Sequence, residues 1–249
     1  MLMMWNLLFK TPILNILFLF NHLLFNNMGL AIIALTLLVR AVLIPLTLPA
    51  MRSSKKLKEL KPELDKLKDK HRGDQAKYAQ AQMQLYREHG VNPAIGCLPI
   101  LFSIPFMVAL YQVLVQVLSA ETIDVINQNL YFGFLKVADL SQINLRFLWL
   151  DLAKPDPFYL LPILVGAAQY WSSRLMSSAG RGLGQSPGKE AAASAKKEDM
   201  HEMMEMMQTQ TQFMFPLMTL IITLRLPAGV SLYWFVSTVF GIIQQKILT

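Results

Sequence analysis

Gly29–Ala50 reads GLAIIALTLLVRAVLIPLTLPA, 22 residues in which Arg40 is the only charge. At about 1.5 Å per residue, a helix of this length reaches about 33 Å, enough to cross a hydrocarbon core of ~30 Å. In lipid the backbone must satisfy its own hydrogen bonds, which selects a helix over an open strand. Arg40 lies near the middle. A guanidinium keeps its proton, so its charge has to be solvated wherever it sits. At a bilayer centre that placement costs from about 3 kcal/mol on insertion scales to above ~10 kcal/mol for an isolated helix. The other apolar stretches hold no Asp or Glu to pair with it; Glu121 and Asp124 come closest and follow the end of theirs. The reading is a wet intramembrane pocket with one fixed positive charge and no internal partner, a functional site by default. Snorkelling to an interface is the plainer alternative, disfavoured by a position about ten residues from either end.

Composition agrees. Hydrophobic residues make up 54% of the 249 and charged residues 16%, against about 25% charged in ordinary soluble domains. Mean hydropathy is +0.39. Cys97 is the single cysteine, so no internal disulfide is possible. His22, His71, His89 and His201 share no ligand-like spacing, and no metal site or cofactor is expected. No cleavable signal or transit pattern is evident at the N-terminus. The chain is expected to be an all-α polytopic membrane protein, a five-helix transmembrane core with a cytoplasmic helical hairpin.

The five spans are Gly29–Ala50, Pro93–Leu118, Pro157–Met176, Phe213–Leu226 and Val230–Ile247. The fourth is short and is expected to extend backwards through Glu202–Gln212. Pro45, Pro49, Pro99, Pro105 and Pro162 predict kinks around a cavity. Met51–Asn92 carries 11 Lys/Arg against 6 Asp/Glu, whereas Ser119–Asp156 has only Lys136, Arg146 and Lys154 against five acids. By the positive-inside rule the first segment is cytoplasmic and the second external, with the N-terminus outside and the C-terminus inside. Ser177–Gln212, carrying Arg181, Lys189, Lys196 and Lys197, is a second cytoplasmic segment, Gly/Ser/Ala/Pro-rich in its first half and linker-like. Residues 1–28 hold Leu, Ile and Phe around Pro12 with Lys10 as their only Lys, Arg, Asp or Glu, which suits an interfacial helix. A sixth span at Ile13–Asn27 is the alternative.

Within 51–92, Leu57, Leu60, Leu64 and Leu67 follow coiled-coil spacing, as do Ala76, Ala79, Met83 and Tyr86. His71-Arg72-Gly73-Asp74 between them is a turn signature, so an antiparallel hairpin is expected, with Pro62 kinking its first arm. Lys55, Lys56, Lys58, Lys61, Lys66 and Lys68 make one face basic. It is either a solvated surface that enforces topology or a dock for anionic headgroups or ribosomal RNA.

Three ordered motifs carry a family resemblance. They are Gly29 to Arg40 followed by Pro45-Leu46-Thr47; Asn92-Pro93 to Cys97-Leu98-Pro99, continuing through Ile104-Pro105 to Ala109-Leu110-Tyr111; and Leu226-Pro227-Ala228-Gly229 to Tyr233-Trp234, ending at Gln244-Gln245. Trp149-Leu150-Asp151-Leu152 before Asp156-Pro157 fits the same pattern. Together they resemble the YidC family of membrane protein insertases from Met28 to Gln245. The resemblance implies a hydrophilic groove open to the cytoplasm and to lipid but closed outside. It also implies a minimal bacterial-type member in the plasma (inner) membrane, without a large external domain or a long basic tail.

By motif, Arg40 matches the groove arginine, with Thr36 one turn away. Gln169, Tyr233 and Trp234 match groove-lining positions, and Ser103, Ile104 and Met107 match the face along which client helices slide. Ser103 departs from the glutamine of some relatives, which puts a polar role there in doubt. The implied partners are nascent membrane proteins and the lipid bilayer, with the ribosome and the Sec translocon as further candidates; a monomer is expected and no specific nucleic-acid sequence. No nucleotide loop, catalytic Ser/His arrangement or carboxylate pair is present, so no enzyme is expected. The rival reading is a small anion channel or transporter using Arg40 as its selectivity site.

Overall fold

The computed structural model describes residues 2–71, 74–91, 98–118, 123–138, 143–180 and 213–248. The start of the second predicted span at Pro93–Cys97, the linker from 181 to 212 and the methionines Met200 to Met207 lie outside them. The chain is mostly helical. An N-terminal helix, α1, runs through Leu2–Trp5, a π-helical turn at Asn6–Lys10 and Thr11–Leu23. Helix α2 (Met28–Glu59) follows, then α3 (Lys61–Lys70) and α4 (Gln75–Glu88). Next come α5 (Leu98–Leu118), the short α6 (Ile123–Gln128) and a two-stranded hairpin, β1 (Arg146–Phe147) with β2 (Leu150–Asp151). Helices α7 (Leu160–Gly180), α8 (Phe213–Thr223) and α9 (Ala228–Leu248) complete the chain. By length and composition Met3–Leu23 and Met28–Leu57 can each cross a membrane; Ile104–Val117 and Phe213–Thr223 are shorter apolar helices.

Helix α9 is central, packing most extensively on α2 and α7 and more lightly on α5. Between lipid-facing helices burial of apolar surface drives little, so close contact and small residues hold the bundle together. Ala31 on α2, Ala109 on α5 and Ala228 on α9 are fully buried at these contacts. A Cβ on Gly229 would lie 3.3 Å from Ile32 Cδ1 and 3.3 Å from the Leu152 carbonyl. On α7 a Cβ at Gly166 would meet Leu220 of α8 at 3.0 Å. Large apolar side chains point away from the bundle: Leu37, Leu38 and Val42 on α2, and Leu217, Met218 and Ile221 on α8.

At one end of the bundle, residues 144–154 lie over the starts of two helices. A helix start leaves backbone N–H groups without partners, and this segment supplies them. Met28 N–H donates to Asn144 O at 3.1 Å, Ala228 N–H to Lys154 O at 2.8 Å, and Gly229 N–H to Leu152 O at 3.1 Å. The same loop therefore ties down the starts of α2 and α9. Leu150 and Leu152 are buried beneath it. Asp156 caps α7: its carboxylate accepts from Phe158 N–H (3.1 Å), Leu161 N–H (2.7 Å) and Trp149 Nε1–H (3.2 Å).

The α3/α4 pair differs in two details from its sequence reading. Pro62 does not kink a continuous arm: α2 stops at Glu59, and Pro62 sits in the first turn of α3, where its missing N–H is harmless. On the first arm the seam is Leu60, which precedes α3, and Leu64 within it, with Leu57 at the end of α2 and Leu67 on α3 half-buried. On α4 it is Tyr78, Leu85 and Tyr86, while Ala79 and Met83 are exposed. Two tyrosines and a leucine cover more apolar surface than an alanine can, so α4 turns that face inward. Asp74 caps α4 by accepting from Lys77 N–H at 3.1 Å. That bond and the Lys77 ammonium beside it hold its carboxyl below the usual value.

Candidate functional site

Arg40 is half-buried on α2, and its guanidinium is aimed at α9. Nε–H donates to Ser237 Oγ at 2.9 Å, and an Nη2–H donates to the same oxygen. No carboxylate among the described residues pairs with it. Ser237 is 4% exposed. A neutral hydroxyl can accept these two hydrogen bonds, but it leaves the charge in place and the remaining N–H groups to be met by water or an incoming polar group. Tyr233, one helical turn before Ser237, lies within electrostatic reach of Arg40. Its ring packs against Phe106 of α5, with centroids 5.8 Å apart.

Further along the same helices, Gln244 Nε2–H donates to Thr47 Oγ1 at 3.0 Å, both side chains being buried. Thr47 lies between the two prolines of α2 and also donates back to Leu43 O or Ile44 O (3.1 and 3.0 Å). The next residue after Ser237 faces another helix: Thr238 Oγ1–H donates to Gln169 Oε1 of α7 at 3.4 Å. Polar side chains thus line the contacts of α9 with α2 and α7, and the arginine sits among them.

The other predicted site residues are spread around this seam. Thr36 is buried, its hydroxyl donating to Ile32 O of its own helix at 2.6 Å. Trp234 and Met107 are half-buried, and Met107 packs on the main core. Ile104 is 48% exposed on α5. Ser103 belongs to α5, but its side chain lies outside the described residues. Lys55, Lys56 and Lys66 are exposed; Lys58 on α2 and Lys61 and Lys68 on α3 have side chains outside the described residues. Ser237, Thr238 and Gln244 were missed as site residues. A signal was available, because Arg40 and Thr47 are seven residues apart, as are Ser237 and Gln244. Seven residues are two helical turns, so both pairs fall on one seam.

Comparison with known proteins settles the relationship. Residues 19–249 match the family described as 60Kd inner membrane protein. The chain is 36% identical over 220 residues to the membrane protein insertase YidC of Fusobacterium nucleatum, covering 88% of this chain and 85% of that protein. The chain belongs to the YidC family of membrane protein insertases. It is also 32% identical over 248 residues to the membrane protein insertase YidC 2 of Bacillus anthracis, covering 98% of this chain and 80% of the relative. With the membrane protein insertase MisCA of Bacillus subtilis the identity is 31% over 227 residues, covering 90% of this chain and 70% of the relative. The sequence stretches around Arg40, Ala109 and Tyr233 lie on α2, α5 and α9, which the structure packs together.

Proposed function

We propose that the chain inserts segments of client membrane proteins into the bilayer through a hydrophilic groove centred on Arg40. The observation that carries this reading is a half-buried guanidinium on an apolar helix whose protein partner is a neutral hydroxyl. An ion paired inside the protein would be structural; a charge left uncompensated is available to a passing segment. A client's short hydrophilic end enters the groove and exchanges part of its hydration for Arg40 and the polar groups around it. The client's apolar helix then leaves sideways along Ile104 and Met107 into lipid, where burial favours it by about 25 cal/mol per Å². No covalent step is needed.

The asymmetry of the bundle supports a groove open at one end. Residues 144–154 cover the starts of α2 and α9, while exposed Lys55, Lys56 and Lys66 lie towards the other end, where Lys246 lies over the Trp171 ring. With the basic end cytoplasmic, the covered end faces outward, the N-terminus is outside and the C-terminus inside the plasma membrane of a bacterial cell. The α3/α4 hairpin then stands at the entrance, where it captures nascent clients and is placed to meet a ribosome or a Sec translocon. The working unit is a monomer in this reading.

Reconstitution of Arg40→Ala into vesicles tests it. Insertion of a client with an acidic translocated end, scored by protease protection, should fall at least about tenfold, and Arg40→Lys should retain part of the activity. Equal insertion by wild type and Arg40→Ala at matched protein content would remove the groove from the account. Anion flux through the same vesicles, without client, would favour the channel reading instead.

A further inference from the structure

We propose that Ser237 is the positioning residue for Arg40 and that its neutrality sets the groove's preference for acidic client ends. Three contacts between α2 and α9 share one register: Ile32 with Gly229, Arg40 with Ser237, and Thr47 with Gln244 are each 197 residues apart. The helices run parallel, and the loop of Asn144–Lys154 holds both starts. A slip of one residue on α9 would turn its side chains by about 100° and carry Ser237 away from the guanidinium. The seam below and the loop above therefore fix where Ser237 stands, and Ser237 fixes where Arg40 points.

The chemistry of the acceptor then decides what Arg40 can do. Two N–H donors of the guanidinium share the single Ser237 oxygen. That geometry orients the planar group without cancelling its charge. The bond to Ser237 is already charge-assisted by the guanidinium; a client carboxylate adds a full opposite charge and two oxygens that match the guanidinium fork, so it displaces the hydroxyl. An amide or hydroxyl on the client gains no such advantage. Had residue 237 been acidic, it would have formed a permanent ion pair and left nothing for the client. This inference rests on the insertase reading above and assigns Ser237 a role distinct from that of Arg40.

The test uses the full chain in vesicles and two clients that differ only in an Asp-Asp or Asn-Asn translocated end. Ser237→Ala should reduce the ratio of Asp-Asp to Asn-Asn insertion by about threefold to tenfold, and Ser237→Thr, which keeps the hydroxyl, should restore it. Ser237→Asp should reduce the ratio further while Asn-Asn insertion continues, which also shows that the variant is folded. An unchanged ratio in Ser237→Ala and Ser237→Asp, with Arg40→Ala still inactive, would overturn the role of Ser237 and leave the groove standing. Equal loss of both clients in all three Ser237 variants would make Ser237 merely structural and overturn the proposal. Full activity of Arg40→Ala would instead remove the insertase reading and the proposal with it.

Discussion

Arg40 shows how far one residue can be read in isolation. Its charge, its apolar flanks and the lack of an acid in the spans all follow from the chain, and each points to a functional site. The hydroxyl that receives it does not, because Ser237 is one of several small polar residues on an apolar helix, and its seven-residue spacing to Gln244 does not say which helix it faces. Gly29 is a second residue with a sharp requirement. A Cβ there would stand 2.3 Å from Phe147 Cγ, inside the ring that packs over the start of α2. Gly29→Ala, in the first turn of α2, gains less than the ~1 kcal/mol of a helix interior, and the overlap forces Phe147 and its strand aside at a cost of about 1–3 kcal/mol. The variant should be less resistant to protease at the β1–β2 loop. Phe147→Ala in the same chain should erase the difference; if Gly29→Ala is as resistant as wild type, the contact is not tight in the working protein.

Among the elements, the α3/α4 hairpin has its own buried cluster of Leu60, Leu64, Leu85, Tyr86 and Val91, separate from the main core. Replacing residues 52–89 by a short linker should therefore leave an inserted, folded bundle that inserts clients poorly. Degradation of that variant in the cell would show instead that the bundle needs the hairpin. The turn that follows β2 carries a pH response. Burial would raise the Asp151 carboxyl, but hydrogen bonds from Lys154 and Ala153 N–H, and the Lys154 and Arg146 charges, outweigh it and hold it below its ordinary 3.8. A depressed carboxyl stabilises the turn fully above that ordinary value, and the contribution drains away as pH falls through the folded value. The Asp151–Lys154 pair, 3.0 Å apart, is largely exposed, so the effect is local and small. Amide exchange at Ala153 should accelerate, relative to other loop amides, as pH drops below about 4, and Asp151→Asn should abolish that relative change. Persistence of the response in Asp151→Asn would assign it to another group.

For the molecule as a whole, the open question in the sequence was whether α1 spans. Standing upright, α1 would carry Trp5 about 34 Å below Met28. Instead Trp5 Nε1–H donates to Gln112 Oε1 at 2.9 Å, only about two turns before the end of α5. Asn15 meets the segment after α6 as well, bonding Asn129 O at 2.9 Å and Tyr131 N–H at 2.7 Å, and the His22 and Phe134 ring centroids are 6.1 Å apart. We read these contacts as those of a helix lying across that end of the bundle. A cysteine at Met4, in a Cys97→Ala background, should react with an impermeant maleimide from outside the cell. Reaction only after the membrane is permeabilised would make α1 a sixth span.

Hydropathy and three ordered motifs were enough to read a mostly helical chain and its family, because each depends on residues close in the chain. Solvation of the backbone in lipid leaves helices as the only option for long apolar stretches, so the elements needed no tertiary information. The inward face of α4 could not be read the same way. Ala79 and Tyr78 are neighbours, and which of them turns inward depends on the area each covers against α3. The pairing of Arg40 with Ser237 was likewise decided by tertiary structure alone. It needs α2 and α9, far apart in sequence, to run in parallel at a fixed register, and that register is set by a third segment, whose Asn144, Leu152 and Lys154 carbonyls hold both helix starts.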